Sequence, residues 1–439
     1  MKKKIVLLGA GSSVFGPSMF SDLYLSQVLD GSTITLCDIN ETKLQMIYDL
    51  LSHENEKTGN KFILEQTTDR KEAFQNADFV ISSVEAKRFH FRWQDHKVPL
   101  KHGARTLMGE CGGPGGFFHS ARVIPLVLSI VEDISNICPN AFFINFSNPV
   151  ARISLAIHRK YPKIKFIGLC HQIEFLNYHL PKMFDKPLGD LKMTVAGLNH
   201  FGFLIGLEDF KSGENLLPAF NAKSLQYFDG KWDRFQFDEF TFEIYKRFGY
   251  FPHSGDNHLC EYIQFADEFV KLEDLKDWIQ TMEEFGKMED KRIIRFHKKL
   301  KKGKPSKRSV LSSKLSGESA IPVIEAIITN QRTYLSSVNI PNEGIIENLP
   351  SDLIVEGPAW VDGSGVHGVK LGSLPKNIAA LLRMEASIQD VCVEAILHES
   401  KTLALACLAM DLKVEGFKMA ENIFDELFAL QREYLPDFR

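Results

Sequence analysis

The chain has 439 residues, with 52 Lys and Arg against 56 Asp and Glu, a net charge of -4, and 44% hydrophobic and 25% charged residues. That length exceeds one small core and predicts two or three domains, while the near-neutral charge removes any general electrostatic case for nucleic acid or an anionic membrane as partner. Seven cysteines, odd in number and without a CxxC pair, point to a reducing compartment rather than a disulfide scaffold. The basic start Met1-Lys2-Lys3-Lys4 runs into a short apolar segment and then a glycine turn, unlike a signal peptide. No apolar run reaches bilayer length, so a cytoplasmic protein is expected.

Ile5–Leu8 reads as a buried parallel strand, Pro17–Leu29 as a helix and Thr33–Cys37 as a second strand that ends at Asp38. Thr42–Ser52 follows as helix, Phe79–Ser83 as strand, Val123–Ile137 as helix, and Ala141–Phe146 and Phe166–Leu169 as further strands. Alternating strands and helices predict an α/β fold with a doubly wound, Rossmann-type parallel sheet over residues 1–192. A second, mixed α+β domain is expected over 193–439. It opens on a strand at Thr194–Leu207 that breaks at Asn199-His200, and it carries helices at Asp238–Phe248 and Asn377–Leu397. A strand pair, Ser336–Ile346 with Leu353–Val361, lies between them. Lys291–Arg308 holds ten basic residues in eighteen, which reads as a solvated helix end and loop.

Gly9-Ala10-Gly11-Ser12-Ser13-Val14-Phe15 follows a strand and opens a helix, the context that gives a glycine turn meaning. Gly9 permits the tight turn, Gly11 lets the backbone approach a pyrophosphate, and the free N–H groups of Ser12, Ser13, Val14 and Phe15 lie at a helix start that attracts it. Asp38 is placed to accept hydrogen bonds from a ribose diol, which favours NAD over its 2′-phosphate. The third glycine of the motif is replaced by Val14, and the next glycine is Gly16.

Four further segments carry polar chemistry. They are the glycine-dense loop Leu107–Gly116, the strand end Asn145–Val150, the strand end Gly168–His171, and Gly197–His200. Cys170 and His200 are candidate neighbours in the cleft between domains. A thiolate and an imidazole can share a divalent metal, although taken singly a cysteine at an apolar strand end is usually core and a strand histidine is usually satisfied by a backbone partner, the reading that spacing alone favours.

These pieces resemble the family 4 glycoside hydrolases, the NAD- and manganese-dependent glycosidases. The likeness rests on GAGSSVFGP, GPGG with ARVIP, NFSNPV, CH after IGL, GLNH and the segment VNIPNEGIIENLPSDLIVEGPAWVDGSG. It implies a C-terminal domain like that of lactate and malate dehydrogenases and a homodimer or homotetramer. It also implies oxidation of the sugar at C3 by NAD⁺, loss of the C2 proton, elimination from C1, addition of water and re-reduction, outside the usual two-carboxylate scheme. By resemblance, Cys170 and His200 hold the metal, Asn148 and Pro149 help to place the nicotinamide, and Arg92, Asp95, Glu110 and Asn148 contact the sugar. Asp256, His171 and Tyr250 are the candidate proton-transfer residues.

The residue after Cys170 is His171, where phosphosugar enzymes usually carry Asn or Asp, which favours an unphosphorylated α-glucoside or α-galactoside. The DNHLCEY stretch is closer to branches that include uronide-cleaving members. A 2-hydroxy acid dehydrogenase is the rival enzyme on this fold, but it leaves Cys170 and the GPGG loop without a task. A non-catalytic sugar or nucleotide sensor is the remaining alternative.

Overall fold

β1 (Lys4–Leu8), α1 (Phe15–Leu25), β2 (Thr33–Cys37), α2 (Glu41–Lys57), β3 (Ile63–Thr67), α3 (Arg70–Ala73), β4 (Phe79–Ser82), α4 (Arg88–Lys101), α5 (Gly113–Ile137), β5 (Phe142–Asn145), α6 (Val150–Lys160) and β6 (Lys165–Gly168) follow one another in the first part of the chain. The computed structural model describes residues 2–105, 108–228, 239–306 and 308–439. The six strands pair in parallel in the order β3-β2-β1-β4-β5-β6, which is the doubly wound order expected. Central strands such as β1 and β4 are buried on both faces, so they read as continuous apolar runs. The Asn40 side chain accepts the Lys43 N–H and caps α2.

The chain continues through α7 (Glu174–Phe184), β7 (Leu191–Leu198), β8 (Phe201–Asp209), α8 (Leu217–Phe228), α9 (Glu239–Phe248), β9 (Phe251–Pro252), α10 (Asp256–Leu259), α11 (Leu272–Lys301) and α12 (Ala320–Thr329). It ends with β10 (Thr333–Pro341), β11 (Ile354–Asp362), β12 (Gly365–Gly368), α13 (Lys376–Leu397), α14 (Lys401–Met410) and α15 (Phe417–Gln431). These strands are antiparallel, and they extend the first sheet rather than starting another. β10 pairs with β6 through Asn339 and Gly168, and β11, β7, β8 and β9 follow outward. Twelve strands of the described residues therefore form one sheet. A large core runs under most of it, and a smaller cluster lies between α7, α8 and the β7–β8 hairpin.

Three local expectations change. The predicted strand 194–207 is the β7–β8 hairpin, and its break at Asn199-His200 is the turn, with His200 at φ 63°. The glycine-dense stretch is not all loop. α5 starts at Gly113, because Gly115 and Gly116 let its first turn lie against the backbone of Asp95, Gly109 and Cys111, where a Cβ would collide. α5 is also long and apolar enough to cross a bilayer, contrary to the reading of the sequence, yet most of that window is buried inside the fold. The basic run continues α11, with Lys298, Lys299 and Lys301 in the last turn, where cations suit the helix dipole. Leu107 of the glycine-rich stretch, Asp238 of the predicted helix and Lys307 of the basic run lie outside the described residues.

Candidate functional site

The glycine turn joins β1 to α1 at the carboxyl edge of the sheet, where doubly wound folds bind ligands. Gly9 has φ 84°. The Gly11 N–H donates to Asp38 Oδ2 at 2.9 Å, and a Cβ on Gly11 would stand 2.8 Å from that carboxylate. Gly16 takes over the third glycine's task two residues late, since a Cβ there would strike the Ala10 carbonyl oxygen and push α1 off the turn. Beside the turn opens a cleft of about 650 Å³, walled by Gly9, Gly11, Ser12, Ser13, Val14, Asp38 and the ends of β1, β2 and β4, and roofed by α11. A backbone this bare around an acid-flanked cavity fits a dinucleotide. Phe15 starts α1 and packs against Phe146. Asn148 and Pro149 lie beyond β5 and do not wall this cleft, although the buried Asn148 Oδ1 has no hydrogen-bond partner.

Cys170 follows β6 and His200 forms the β7–β8 turn, and the sheet brings them together with Sγ 3.1 Å from Nε2. Burial pushes the Cys170 thiol far up, reinforced by the Glu356 charge, and burial with the nearby His258 keeps His200 well below the ordinary histidine range. A neutral imidazole facing a sulfur suits a shared divalent cation, which would also stabilise the thiolate.

Around this pair stand residues to which the sequence reading gave no role, His258, Glu261, Glu356, His253, Ser337, Glu85 and His119, together with Glu110, which it gave only as a sugar contact. The His258 ring lies 3.9 Å, centre to centre, from that of His200. Glu110, His258 and Glu261 each bring a ligand-type atom to within 4.8 Å of the others, all buried. On the far side, the Asn199 amide donates to Glu356 Oε2 at 3.3 Å, Ser337 donates to Oε1, and His253 Nε2 lies 3.4 Å from Oε1. Glu85 walls the cofactor cleft and meets His119 at 2.7 Å, and the other nitrogen of that ring meets the Glu110 carbonyl at 2.7 Å. From the cleft the path runs through Glu85 and His119 to the Glu110 main chain, and the Glu110 carboxylate lies within 4.8 Å of His258, whose ring faces that of His200.

Arg92 and Glu110 are brought together, with Arg92 Nη2 donating to Oε2 at 2.5 Å and the guanidinium lying over Trp278. Burial would raise the Glu110 carboxyl, but Arg92 and Arg88 outweigh it and hold it well below its usual range. Asp95, expected to contact the sugar, lies beside Arg92 and Glu110 but is held by other side chains. It is 1% exposed, and Arg122 donates to both of its oxygens at 3.1 and 2.5 Å while Gln431 donates to Oδ1 at 2.9 Å. Asp256 is drawn away as well. Its oxygens accept the N–H groups of Phe240 and Thr241 at 3.1 and 2.6 Å, plus the Thr241 hydroxyl, so it anchors the start of α9. Burial nevertheless raises it to about 6. It can move a proton only if that turn releases it. His171 stands exposed at the site's edge, its Nδ1 3.9 Å from Glu318. Tyr250 is half-buried just before β9.

Glu261 carries a pH signature. Burial and the Glu110 charge push it up to about 8, against the N–H groups of Cys111 and Gly112 that its Oε2 accepts. The native state then keeps a proton that the unfolded chain releases, so this group's contribution to stability is lost as pH climbs from the ordinary carboxyl range toward 8. Metal-free Glu261→Gln is expected to lose about 2–5 °C less in Tm than wild type between roughly pH 5 and pH 8.5. Parallel melting curves across that range would remove the assignment.

The family model described as Family 4 glycosyl hydrolase matches residues 4–185, and that of the family's C-terminal domain matches residues 195–414. The chain is 32% identical to the alpha-glucosidase of Erwinia rhapontici, over 99% of each chain. It is 28% identical to the alpha-galactosidase of Bacillus subtilis (strain 168), over the full length of both. In structure it matches a 6-phospho-alpha-glucosidase from gut microorganisms in complex with NAD and Mn2+, at a TM-score of 0.86, 23% identity and 100% of both chains, a likeness that establishes the fold. With its whole length accounted for by these matches, the chain belongs to family 4 of the glycosyl hydrolases and is a glycosidase.

Proposed function

We propose that this glycosidase cleaves an unphosphorylated α-glucoside or α-galactoside, with NAD in the glycine-turn cleft and manganese or another divalent metal at Cys170 and His200. The observation that carries this reading is the Cys170–His200 pair at 3.1 Å beside the buried Glu110, His258 and Glu261, with His119 leading from Glu110 to Glu85 in the wall of the cleft. The two relatives named for α-glucoside and α-galactoside cleavage favour those sugars, and the bound NAD and Mn2+ of the structural relative favour those cofactors. When bound, NAD supplies a hydride acceptor and donor, and the metal a Lewis acid.

The chain's own residues do the rest. The bare turn at Gly9 and Gly11 and the start of α1 hold the pyrophosphate, with the Val14 and Phe15 N–H groups passing to it from the Ser12 hydroxyl that now accepts them, and Asp38 takes the ribose diol. Cys170 and His200 fix the metal, Asn148 offers a free acceptor to a sugar hydroxyl, and Arg92 with Glu110 forms a fixed charged wall. His171, at the exposed edge, is the candidate acid toward the leaving group. Tyr250 is the candidate C2 base, and Asp256 takes that role only if freed from α9. We also assign residues 1–192 to cofactor binding and 193–439 to substrate, metal and self-association in a homodimer or homotetramer. A cytoplasmic setting agrees with the seven unpaired cysteines.

The test is a panel of p-nitrophenyl glycosides, neutral, uronide and 6-phosphorylated, with NAD⁺, Mn²⁺ and a thiol reductant. Release of nitrophenol from neutral α-glycosides, dependent on both additions and without net NADH, is the expected result. Cleavage confined to charged sugars overturns the substrate assignment. Net NADH formation points to a dehydrogenase, and binding without turnover to a sensor.

A further inference from the structure

The roof of the cofactor cleft is a helix that lies outside the dinucleotide motif. From α11, Asp290 Oδ1 accepts the Ser13 hydroxyl at 2.6 Å, and Oδ2 accepts Lys43 Nζ at 3.1 Å. Lys43 stands in the first turn of α2, just past Asp38, and both residues wall the cleft together with Gly11 and Asp290. Asp38 is engaged at both oxygens, by the N–H of Gly11 at 2.9 Å and that of Asn40 at 2.8 Å. At this end of the cleft Lys43 is thus the ammonium beside the ribose position. A cation there is what lets such a fold accept a 2′-phosphate.

Building on the proposal that the cleft takes a dinucleotide, we infer that Asp290 is a cofactor-selecting residue. By occupying Lys43 and the Ser13 hydroxyl, it denies the 2′-phosphate of NADP its cation and a donor. It also adds a second negative charge to that of Asp38. The pair is only half-exposed, at 43% and 40% of the two side chains. Its own contribution to folding is therefore small. Its effect is felt against a nearly dianionic ligand, where one charge-assisted bond changes affinity by about ten- to a hundredfold. A carboxylate that merely docked α11 would act on NAD⁺ and NADP⁺ alike, which separates the two roles.

Dissociation constants of NAD⁺ and NADP⁺ for the full-length protein, by calorimetry, provide the test. Wild type is expected to favour NAD⁺. Asp290→Asn narrows the ratio by about tenfold through tighter NADP⁺ binding, and adding Lys43→Met to that variant cancels the gain. Lys43→Met alone uncovers the Asp290 charge, so NADP⁺ binding does not tighten and the preference for NAD⁺ is kept or widened. Asp290→Ser, expected to narrow the ratio as Asp290→Asn does, serves as the test if the amide variant does not fold. Parallel weakening of both nucleotides in Asp290→Asn, a gain that survives Lys43→Met, or tighter NADP⁺ binding in Lys43→Met alone overturns the inference. A wild type that binds neither nucleotide instead removes the dinucleotide reading itself, and this one with it.

Discussion

Cys170→Ser is expected to lower turnover of the neutral α-glycoside by at least about a hundredfold at any manganese concentration, since even residues that only support a metal ligand cost ten- to a hundredfold. A serine hydroxyl does not deprotonate near neutral pH as a metal-bound thiol does, so the site loses its anionic ligand. The surroundings sharpen the effect. His200 is 1% exposed, and its ring is fixed by the β7–β8 turn and the His258 stack, so it cannot swing to a replacement ligand. Bound manganese per chain and kcat are to be measured together. A variant with unchanged metal content and activity would end the assignment of Cys170.

Asp95→Ala is expected to cost about 3–5 kcal/mol of stability, the usual consequence of leaving a buried guanidinium unpaired. For a chain of this size that is a fall in Tm of about 3–5 °C. Arg122 is 5% exposed and, among the described residues, would keep Gln431 as its side-chain hydrogen-bonding partner. The KM for glycoside in the folded fraction should stay within about twofold of wild type, because a residue that only packs does not change uniform binding. A raised KM with an unchanged melting temperature is the opposite pattern, and it would return Asp95 to the sugar.

What the residues revealed in advance was what is local. The turn at Gly9 and Gly11 and the acid at Asp38 are legible because strand, turn, helix and strand occur in sequence and each glycine answers a backbone demand. The Cys170–His200 pair was suggested by strand ends that a sheet brings close, and the family resemblance then gave it a role. The assembly around that pair was not legible. Glu110, His258 and Glu261 come from the entrance to α5, from α10 and from its end, and no periodicity links those segments. The surroundings of Asp95 were hidden for the same reason: α4 shows a polar residue, and nothing in its spacing says that Arg122 and Gln431 will close on it. Asp256 was recognised by likeness, while its capture by Thr241 depends on how α9 approaches. Val14 looked like a broken motif until the Gly16 contact with Ala10 showed the close packing displaced by two residues.

The continuity of the sheet across β6 and β10 has a consequence for how such a protein can be taken apart or built upon. In many two-part enzymes the halves join by a flexible linker, and each can be expressed, swapped or fused alone. Here the seam is itself a hydrogen-bonded strand pair, with Asn339 laid against Gly168. A cut there would leave two naked strand edges, each a template for the wrong neighbour. The strand end that carries Cys170 and the glycine turn are therefore inherited together, as parts of one sheet that cannot be divided between two separately made pieces.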